Sequence, residues 1–399
     1  MLTSLAFIFL LGLAMAASCQ LLHLPRIIGM LITGILLGPC VLNLLDSSIL
    51  SISAQLRQMA LIIILLKAGL SLNLSDLKKV GRPAIMMSFV PASFEILAFF
   101  LFAPSILGIT RIEAAVMGAV LGAVSPAVVI PRMVQLMEEG YGTKKSIPQL
   151  IMAGASCDDI FVIVLFSTFV TMAQGGSAHV MDFVNIPVSI ILGVLLGAAF
   201  GLCVSLFFET AYAHKHLVRN SMKVIIVLGL SFLLMSIETW LKGTVSVSGL
   251  LAVVSMACVI KLKSAPCVSR RLSEKFGKLW LAAEVILFVL VGAAVDIRYT
   301  LNAGLPAVLM ILLALLIRSL GVSLCLAGTQ LSLKERLFCI IAYLPKATVQ
   351  AAIGSVPMAM GLPCGQLVLS VAVLAILITA PLGAIGMDLT YKKCLTVQK

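Results

Sequence analysis

The sequence predicts an all-α protein that crosses a membrane many times. Of its 399 residues, 61% are hydrophobic and 11% are charged, and the mean hydropathy is +1.18. An average soluble domain has roughly 45–50% hydrophobic and 25% charged residues. Thirteen apolar runs, each close to the roughly 20 residues that a spanning helix needs, follow one another along the chain. Two of them contain proline near their middle. This composition excludes a water-soluble enzyme, and the short polar connections leave no room for a folded soluble domain.

Charged residues and clusters of Pro, Gly and Asn bound each apolar run. In chain order the runs, each predicted to form one helix, are 3–22, 25–42, 54–72, 83–107, 113–136, 147–172, 185–209, 220–239, 244–262, 277–299, 304–327, 335–358 and 364–390. Most Lys and Arg residues fall on one side of the membrane, which is cytoplasmic by the positive-inside rule. An odd number of spans then places the N-terminus outside and the C-terminus inside. Because topology accounts for the formal charge of +12, we expect lipid beside these loops and no nucleic-acid partner.

Small residues recur at every fourth position in two of the predicted spans. Gly193, Gly197 and Gly201 form the longer stripe, and Gly34 and Gly38 form a shorter one. Such stripes allow helix backbones to approach closely within a membrane. We expect them to serve packing within the chain, with a contact between subunits as the alternative.

Two adjacent acids lie near the middle of the sixth span. Asp158 and Asp159 are about 11 residues, or roughly 16 Å, into a helix that crosses a hydrocarbon layer about 30 Å thick. Burial and like-charge repulsion both favour protonated carboxyls. The pair should therefore hold protons readily and release them when a small cation supplies the compensating charge. The alternative is that both acids stay protonated and only hydrogen-bond neighbouring helices.

Two further charges are predicted at similar depth. Glu95 lies in the fourth span and Arg318 in the eleventh, where an unpaired charge is costly. Because arginine is effectively always charged in proteins, Arg318 needs an acid, and both Glu95 and Asp158 have the right depth. We expect Glu95 and Arg318 to act as structural counter-ions rather than as direct ligands of a bound ion.

The two interrupted runs occupy inverted positions. The residues at the breaks are Ser125 and Pro126, followed by Pro131, in the fifth run, and Pro345, Lys346 and Thr348 in the twelfth. Proline removes a helical hydrogen bond, and unwound backbone at that depth is tolerated only inside protein or beside a cavity. The two runs are seven spans apart and therefore cross in opposite directions. This pattern predicts an inverted repeat in which spans 4 to 6 correspond to spans 11 to 13.

Helix ends at such a crossing carry partial charges of both signs. We expect a buried carboxylate to compensate one helix dipole and Lys346 to compensate the other. The alternative is a pair of simple proline kinks with no cavity between them.

Four segments carry a family resemblance. They are SPAVVIP at 125–131, GYGTKKSIPQLIMAGASCDDIF at 140–161, LIRSL at 316–320 and LSLKERLFCIIAYLPKATVQAAIG at 331–354. The chain resembles the cation/proton antiporter superfamily from about residue 20 onward, and within it the NHA-type sodium/proton antiporters. The resemblance implies a homodimer with a rigid dimerisation domain and a mobile ion-carrying core that moves like an elevator.

The resemblance also implies roles for individual residues. Asp159 is similar to the principal cation and proton ligand of the family, and Asp158 to a companion acid that faces the basic residue of the eleventh span. Glu95 matches a glutamate that NHA-type members pair with arginine. Arg318 stands where many electrogenic bacterial members have lysine. Because arginine cannot release a proton as lysine can, the stoichiometry of lysine-bearing relatives does not transfer to this chain.

The resulting prediction is a secondary antiporter that exchanges cytoplasmic Na⁺ or Li⁺ for external protons by alternating access. We expect residues 1–82 and 185–262 to form mainly dimerisation helices, 83–172 the first core repeat, and 277–399 a linking helix and the inverted repeat. We expect a bacterial inner membrane location, no cofactor and no enzymatic activity. The alternatives are a sodium-coupled symporter of an organic anion, which needs a basic or polar pocket, and a passive channel.

Overall fold

The computed structural model describes residues 1–22, 24–71, 81–174, 180–213, 220–241, 247–296 and 304–397. Helices dominate these ranges, which contain one isolated β-bridge between Tyr141 and Val397. The helices are α1 (Leu2–Leu21), α2 (Arg26–Leu37), α3 (Ser47–Ser51), α4 (Ser53–Ser71), α5 (Arg82–Met87), α6 (Val90–Leu107), α7 (Arg111–Leu121), α8 (Pro126–Glu138), α9 (Ile147–Gln174), α10 (Val180–Ala213), α11 (Asn220–Leu241), α12 (Gly249–Lys263), α13 (Pro266–Ala293), α14 (Gly304–Cys325), α15 (Leu333–Ala342), α16 (Thr348–Ile353), α17 (Val356–Ala359) and α18 (Gly365–Cys394).

The apolar runs predict the positions of these helices well. Each of the thirteen runs contains helical residues, and the all-α membrane fold is confirmed. Within the described ranges, eight helical segments are long and apolar enough to cross a membrane, and α2 is apolar but shorter. The count of thirteen spans is therefore not confirmed.

Two helices are interrupted where the sequence predicts. The backbone is not helical over 122–125, between α7 and α8, nor over 344–347, between α15 and α16. Pro126 is the first residue of α8, a position that proline favours because it has no N–H to leave unpaired. Pro131 lies inside α8, which runs on to Glu138. The first break is thus set before Pro126, and Pro131 does not interrupt the helix.

Both interrupted helices begin with the same local device. Thr110 caps α7 and Ser332 caps α15, and in each case a glutamate three residues later bonds back to the cap. The backbone N–H of Thr110 donates to Glu113 at 2.9 Å, and that of Ser332 donates to Glu335 at 2.6 Å. This capping box satisfies backbone donors that the first turn leaves free. The shared start agrees with the predicted internal repeat.

The chain forms two compact units. The first comprises Met1–Arg57, Asn73–Ala173 and Val285–Lys399, and the second comprises Gln58–Leu72 and Gln174–Glu284. Both interrupted helices and all the deep charges predicted from the sequence belong to the first unit. The assignment of particular segments to a dimerisation domain and a mobile core stays a prediction.

The glycine stripe of α10 packs within the second unit. A Cβ atom added to Gly193, Gly197 or Gly201 would press against backbone atoms of α12 at Ser248, Ala252 and Met256 respectively. The stripe thus lets α10 and α12 approach at backbone distance, as predicted for packing within the chain. In the first unit, Gly34 and Gly38 lie in the same way against α13.

Candidate functional site

The long helix α9 places two acids beside the first break. Asp158 is fully buried and Asp159 is 6% exposed. Oδ2 of Asp158 accepts a hydrogen bond of 2.9 Å from the backbone N–H of Val124, in the non-helical segment before α8. Asp158 therefore bonds to backbone that the interruption has freed.

Arg318 of α14 is the centre of a buried ionic network. Its Nη1 lies 2.7 Å from Oε2 of Glu95, and its Nη2 lies 3.0 Å from Oδ2 of Asp158. Both acids that the sequence offers as partners are therefore in contact with the guanidinium group. Because Arg318 is 0% exposed, each contact replaces hydration that burial removes.

The same guanidinium group lies at the ends of both interrupted helices. Its Nε donates to the carbonyl of Tyr343 at 3.0 Å, and its Nη1 also contacts the carbonyl of Gly122. Gly122 and Tyr343 are the C-terminal caps of α7 and α15, where a helix dipole is negative. Arg318, rather than Lys346, thus compensates the carboxyl ends of these helices, which corrects the expectation for Lys346.

Lys346 has a different partner. Its Nζ lies 2.5 Å from Oε2 of Glu95, and its side chain is 1% exposed. Glu95 is therefore held between two cations, Arg318 and Lys346. The sequence places Lys346 at mid-depth but does not reveal that its partner lies on α6, because the two residues are far apart along the chain.

The two breaks are joined directly. The backbone N–H of Ser125 donates to the carbonyl of Pro345 at 2.8 Å. Gln350 of α16 adds a second link, since its Nε2 donates to the carbonyl of Ala123 at 2.8 Å while its Oε1 accepts from Ala347 at 2.8 Å. The broken helices therefore cross in contact.

Five buried oxygen atoms near these elements have no hydrogen-bond partner among the described residues. They are Oδ1 of Asp158, Oδ1 of Asp159, Oγ of Ser125, Oγ1 of Thr348 and Oη of Tyr343. Small hard cations bind carboxylate, hydroxyl and carbonyl oxygens. In the described part of the chain, His, Cys, Asp and Glu do not gather in groups of three or more. The donor set thus suits an alkali cation better than a transition metal.

The sequence identified the charged members of the site and the neutral residues Ser125 and Thr348, but it missed two other neutral members. Gln350 and Thr379 were not singled out, although Gln350 bridges the breaks and Oγ1 of Thr379 accepts from the backbone N–H of Lys346 at 2.9 Å. The sequence carries no capping signal for Gln350, because the residue three positions earlier is Ala347, which has no side-chain acceptor. Thr379 sits in a long apolar helix with no such signal.

Comparison with known proteins adds a family and a fold. Residues 5–391 match the family model described as "Sodium/hydrogen exchanger, transmembrane". The chain is 34% identical to sodium/hydrogen exchanger 9B2 of Homo sapiens over 375 residues, covering 91% of this chain and 68% of that protein. It is 32% identical to sodium/hydrogen exchanger 9B1 of Homo sapiens over 362 residues, covering 86% and 67%.

A solved structure shows the same architecture. The sodium proton antiporter MjNhaP1 of Methanocaldococcus jannaschii, at pH 8, superposes with a TM-score of 0.84 over 98% of both chains, at 21% identity. At that identity the likeness shows the fold alone.

Proposed function

The chain belongs to the sodium/hydrogen exchanger family, and from this premise we propose that it exchanges Na⁺ or Li⁺ for H⁺ at Asp158 and Asp159 by alternating access. It is a multi-pass membrane transporter and not an enzyme. The proposal assigns the exchange to the crossing of the two broken helices in the first unit.

The charge balance of the buried network carries this proposal. Two basic side chains, Arg318 and Lys346, face three acids, Glu95, Asp158 and Asp159. Glu95 and Asp158 form ion pairs with these cations, whereas Oδ1 of Asp159 has no hydrogen-bond partner among the described residues. If all five groups are ionised, one negative charge is left over. An uncompensated buried charge is strongly unfavourable, so the site needs one proton or one monovalent cation.

Exchange follows from this requirement. A bound proton and a bound Na⁺ each neutralise the same excess charge, so the two species compete. When the site faces either side of the membrane, it releases one ion and takes the other, and either gradient can drive the opposite movement. Because the buried network lacks one positive charge, one bound Na⁺ replaces one bound proton. The charge balance of the network therefore favours one-for-one exchange.

The residues then divide into ligands and supports. Asp159 is the principal ligand and Asp158 its companion, with unpartnered hydroxyls of Ser125 and Thr348 as further oxygen donors. Glu95, Arg318 and Lys346 hold Asp158 and the two helix ends in place. Pro126 and Pro345 fix the breaks that free backbone groups at this depth.

Symport of an organic anion lacks support at this site. Such a substrate needs a free basic group, but Lys346 is bound to Glu95 and every guanidinium nitrogen of Arg318 has a partner. The family name likewise describes exchange rather than symport.

The proposal includes the setting of the protein. We place the exchanger as a homodimer in a bacterial inner membrane, with the N-terminus outside and the C-terminus in the cytoplasm. The orientation is supported by basic residues in the last turns of α12 and α18, at Lys261, Lys263, Lys392 and Lys393, which lie on one predicted side.

The test uses purified protein in liposomes with an imposed pH gradient. Added Na⁺ should dissipate the gradient with the unchanged protein and not with Asp159→Asn, which removes the excess charge but keeps the side-chain shape. Asp388→Asn is the matched control, because Asp388 is half exposed and pairs with Arg132 away from the breaks. Undiminished exchange by Asp159→Asn would reject the site.

A further inference from the structure

Tyr343 has a buried hydroxyl group that the exchange mechanism above does not use. The residue is 0% exposed, and its Oη has no hydrogen-bond partner among the described residues. Leaving a buried hydroxyl unpaired is destabilising, so such a group calls for a functional explanation.

The position of Tyr343 is fixed by the ionic network. It caps α15 at the second break, and its carbonyl accepts from Nε of Arg318 at 3.0 Å. Its ring centroid lies 5.6 Å from Cζ of the same arginine. Arg318 also bonds to Asp158. Tyr343 and Asp158 therefore contact the same guanidinium group.

Gly154 brings the phenol against the diacid helix. A Cβ atom added to Gly154 would collide with the Tyr343 hydroxyl, so Oη lies directly on α9 at this residue. Gly154 and Asp158 are four residues apart and therefore lie on one helix face, one turn from each other. Helical side chains lean toward the N-terminus of their helix, which directs the Asp158 carboxyl toward the turn where Oη lies.

We propose that Tyr343 is a further positioning residue of the exchange site, whose hydroxyl donates a hydrogen bond to the ionised Asp158 carboxylate through one bridging water. Oδ1 of Asp158 is the acceptor, because Oδ2 is already bonded to Val124 and Arg318 while Oδ1 has no partner. This role rests on the proposed exchange function.

The expected effect is on competition between protons and Na⁺. A donor that bonds to the ionised acid favours the state that accepts a cation. Among the described residues, the other charged or titratable groups around Asp158 and Tyr343 are Arg318 and Cys325 from α14, Lys346 from the second break, Glu95 from α6, and Cys157 and Asp159 from α9. Each of them is unchanged when only the phenol oxygen is removed.

Tyr343→Phe removes that oxygen and keeps the ring. In proteoliposomes we expect the apparent KM for Na⁺ near neutral pH to rise about tenfold, the typical effect of losing a hydrogen bond to a charged group. The rise should shrink as the pH increases, because fewer protons then compete, and the maximal rate should change less than the KM. Tyr141→Phe is the matched control, since Tyr141 packs on Tyr391 next to the C-terminal end of α18.

Gly154→Ala gives an independent approach, because the added methyl group displaces the hydroxyl without altering Tyr343. It should raise the apparent KM in the same direction, and the double variant should show no further rise, since both changes remove one contact. Na⁺-dependent thermal stabilisation of the detergent-solubilised protein reports binding without transport.

The two proposals fail in distinguishable ways. If the unchanged protein and Tyr141→Phe show no sodium-dependent proton movement, the exchange function is wrong. If they exchange normally while Tyr343→Phe keeps their apparent KM and pH profile, only the role of Tyr343 is overturned. A lower melting temperature with an unchanged apparent KM also overturns it, because Tyr343 is then a packing residue alone.

Discussion

The two interrupted helices start in the same way and are completed differently. Val124 and Lys346 each lie fourteen residues after the N-terminal cap of their own interrupted helix. In the first copy of the repeat, the backbone N–H of Val124 donates a hydrogen bond of 2.9 Å to the side chain of Asp158 in the long helix α9. In the second copy, the backbone N–H of Lys346 donates one of 2.9 Å to the side chain of Thr379 in the long helix α18. The copies therefore share one backbone arrangement and differ in the side chains attached to it.

The difference shows how a symmetric scaffold becomes an ion site. The first copy has an acid as acceptor and an apolar side chain at the break, whereas the second has a neutral hydroxyl as acceptor and Lys346 at the break. The backbone hydrogen bond that the two copies share holds the crossing together. The side chains that differ between the copies supply its charge. Arg318 spans both, since it bonds to the carboxyl end of each interrupted helix.

Replacing the residue that joins the copies should have the largest effect on stability. Arg318→Ala leaves Asp158 without its buried cation, Glu95 with Lys346 alone, and two helix-end carbonyls without a donor. We expect a loss of about 3–5 kcal/mol in the free energy of unfolding, as for a broken buried ion pair. Thermal unfolding in detergent measures it.

Arg132→Ala is the control for this loss. Arg132 makes a two-point contact with Asp388, at 3.0 Å for both hydrogen bonds, but the acid is 50% exposed. Exposed pairs contribute only about 0.2–1 kcal/mol. If Arg318→Ala mainly weakens apparent cation affinity and leaves stability near that of Arg132→Ala, Arg318 is a ligand and not a counter-ion.

Making the first copy more like the second is the next test. Asp158→Asn replaces the charged acceptor by a neutral one of nearly the same shape, so the bond from Val124 can persist while the charge is lost. With two cations facing two acids, the network no longer needs an added ion, and sodium-dependent exchange should fall to background in liposomes. Exchange at the original rate would show that the asymmetry in charge is not what creates the site.

The corresponding change in the second copy should have the smallest effect. Thr379→Val removes the hydroxyl that accepts from the Lys346 backbone and leaves every charge in place. We expect a loss of about 1 kcal/mol in stability, typical for one hydrogen bond, with exchange retained at a rate reduced less than tenfold. Loss of exchange as complete as in Asp158→Asn would remove the proposed distinction between the copies.

The sequence was informative where single positions carry strong energetic penalties. Charges in apolar runs are expensive, so Glu95, Asp158, Asp159 and Arg318 could be identified one by one from depth alone. Prolines at mid-span located both breaks to within a few residues. The all-α membrane architecture followed from hydropathy, although the number of full spans did not.

Partner choice could not be predicted in the same way. Hydropathy and depth place a residue along the membrane normal but do not show which faces of distant helices meet. Hence Lys346 was expected at a helix dipole, whereas it binds Glu95 of α6, and Arg318 takes the helix ends. Gln350, Thr379 and Tyr343 are uncharged, so their presence in apolar runs carried too small a penalty to mark them.

The central claim is that the buried network lacks one positive charge, which a proton or a sodium ion supplies but not both at once. Counting protons released when Na⁺ binds to the purified protein tests this claim most directly, by titration calorimetry in buffers of different ionisation enthalpy. At a pH where the site is protonated, the account predicts release of about one proton per Na⁺ bound, and none with Asp159→Asn. Sodium binding that releases no protons from the unchanged protein would contradict it.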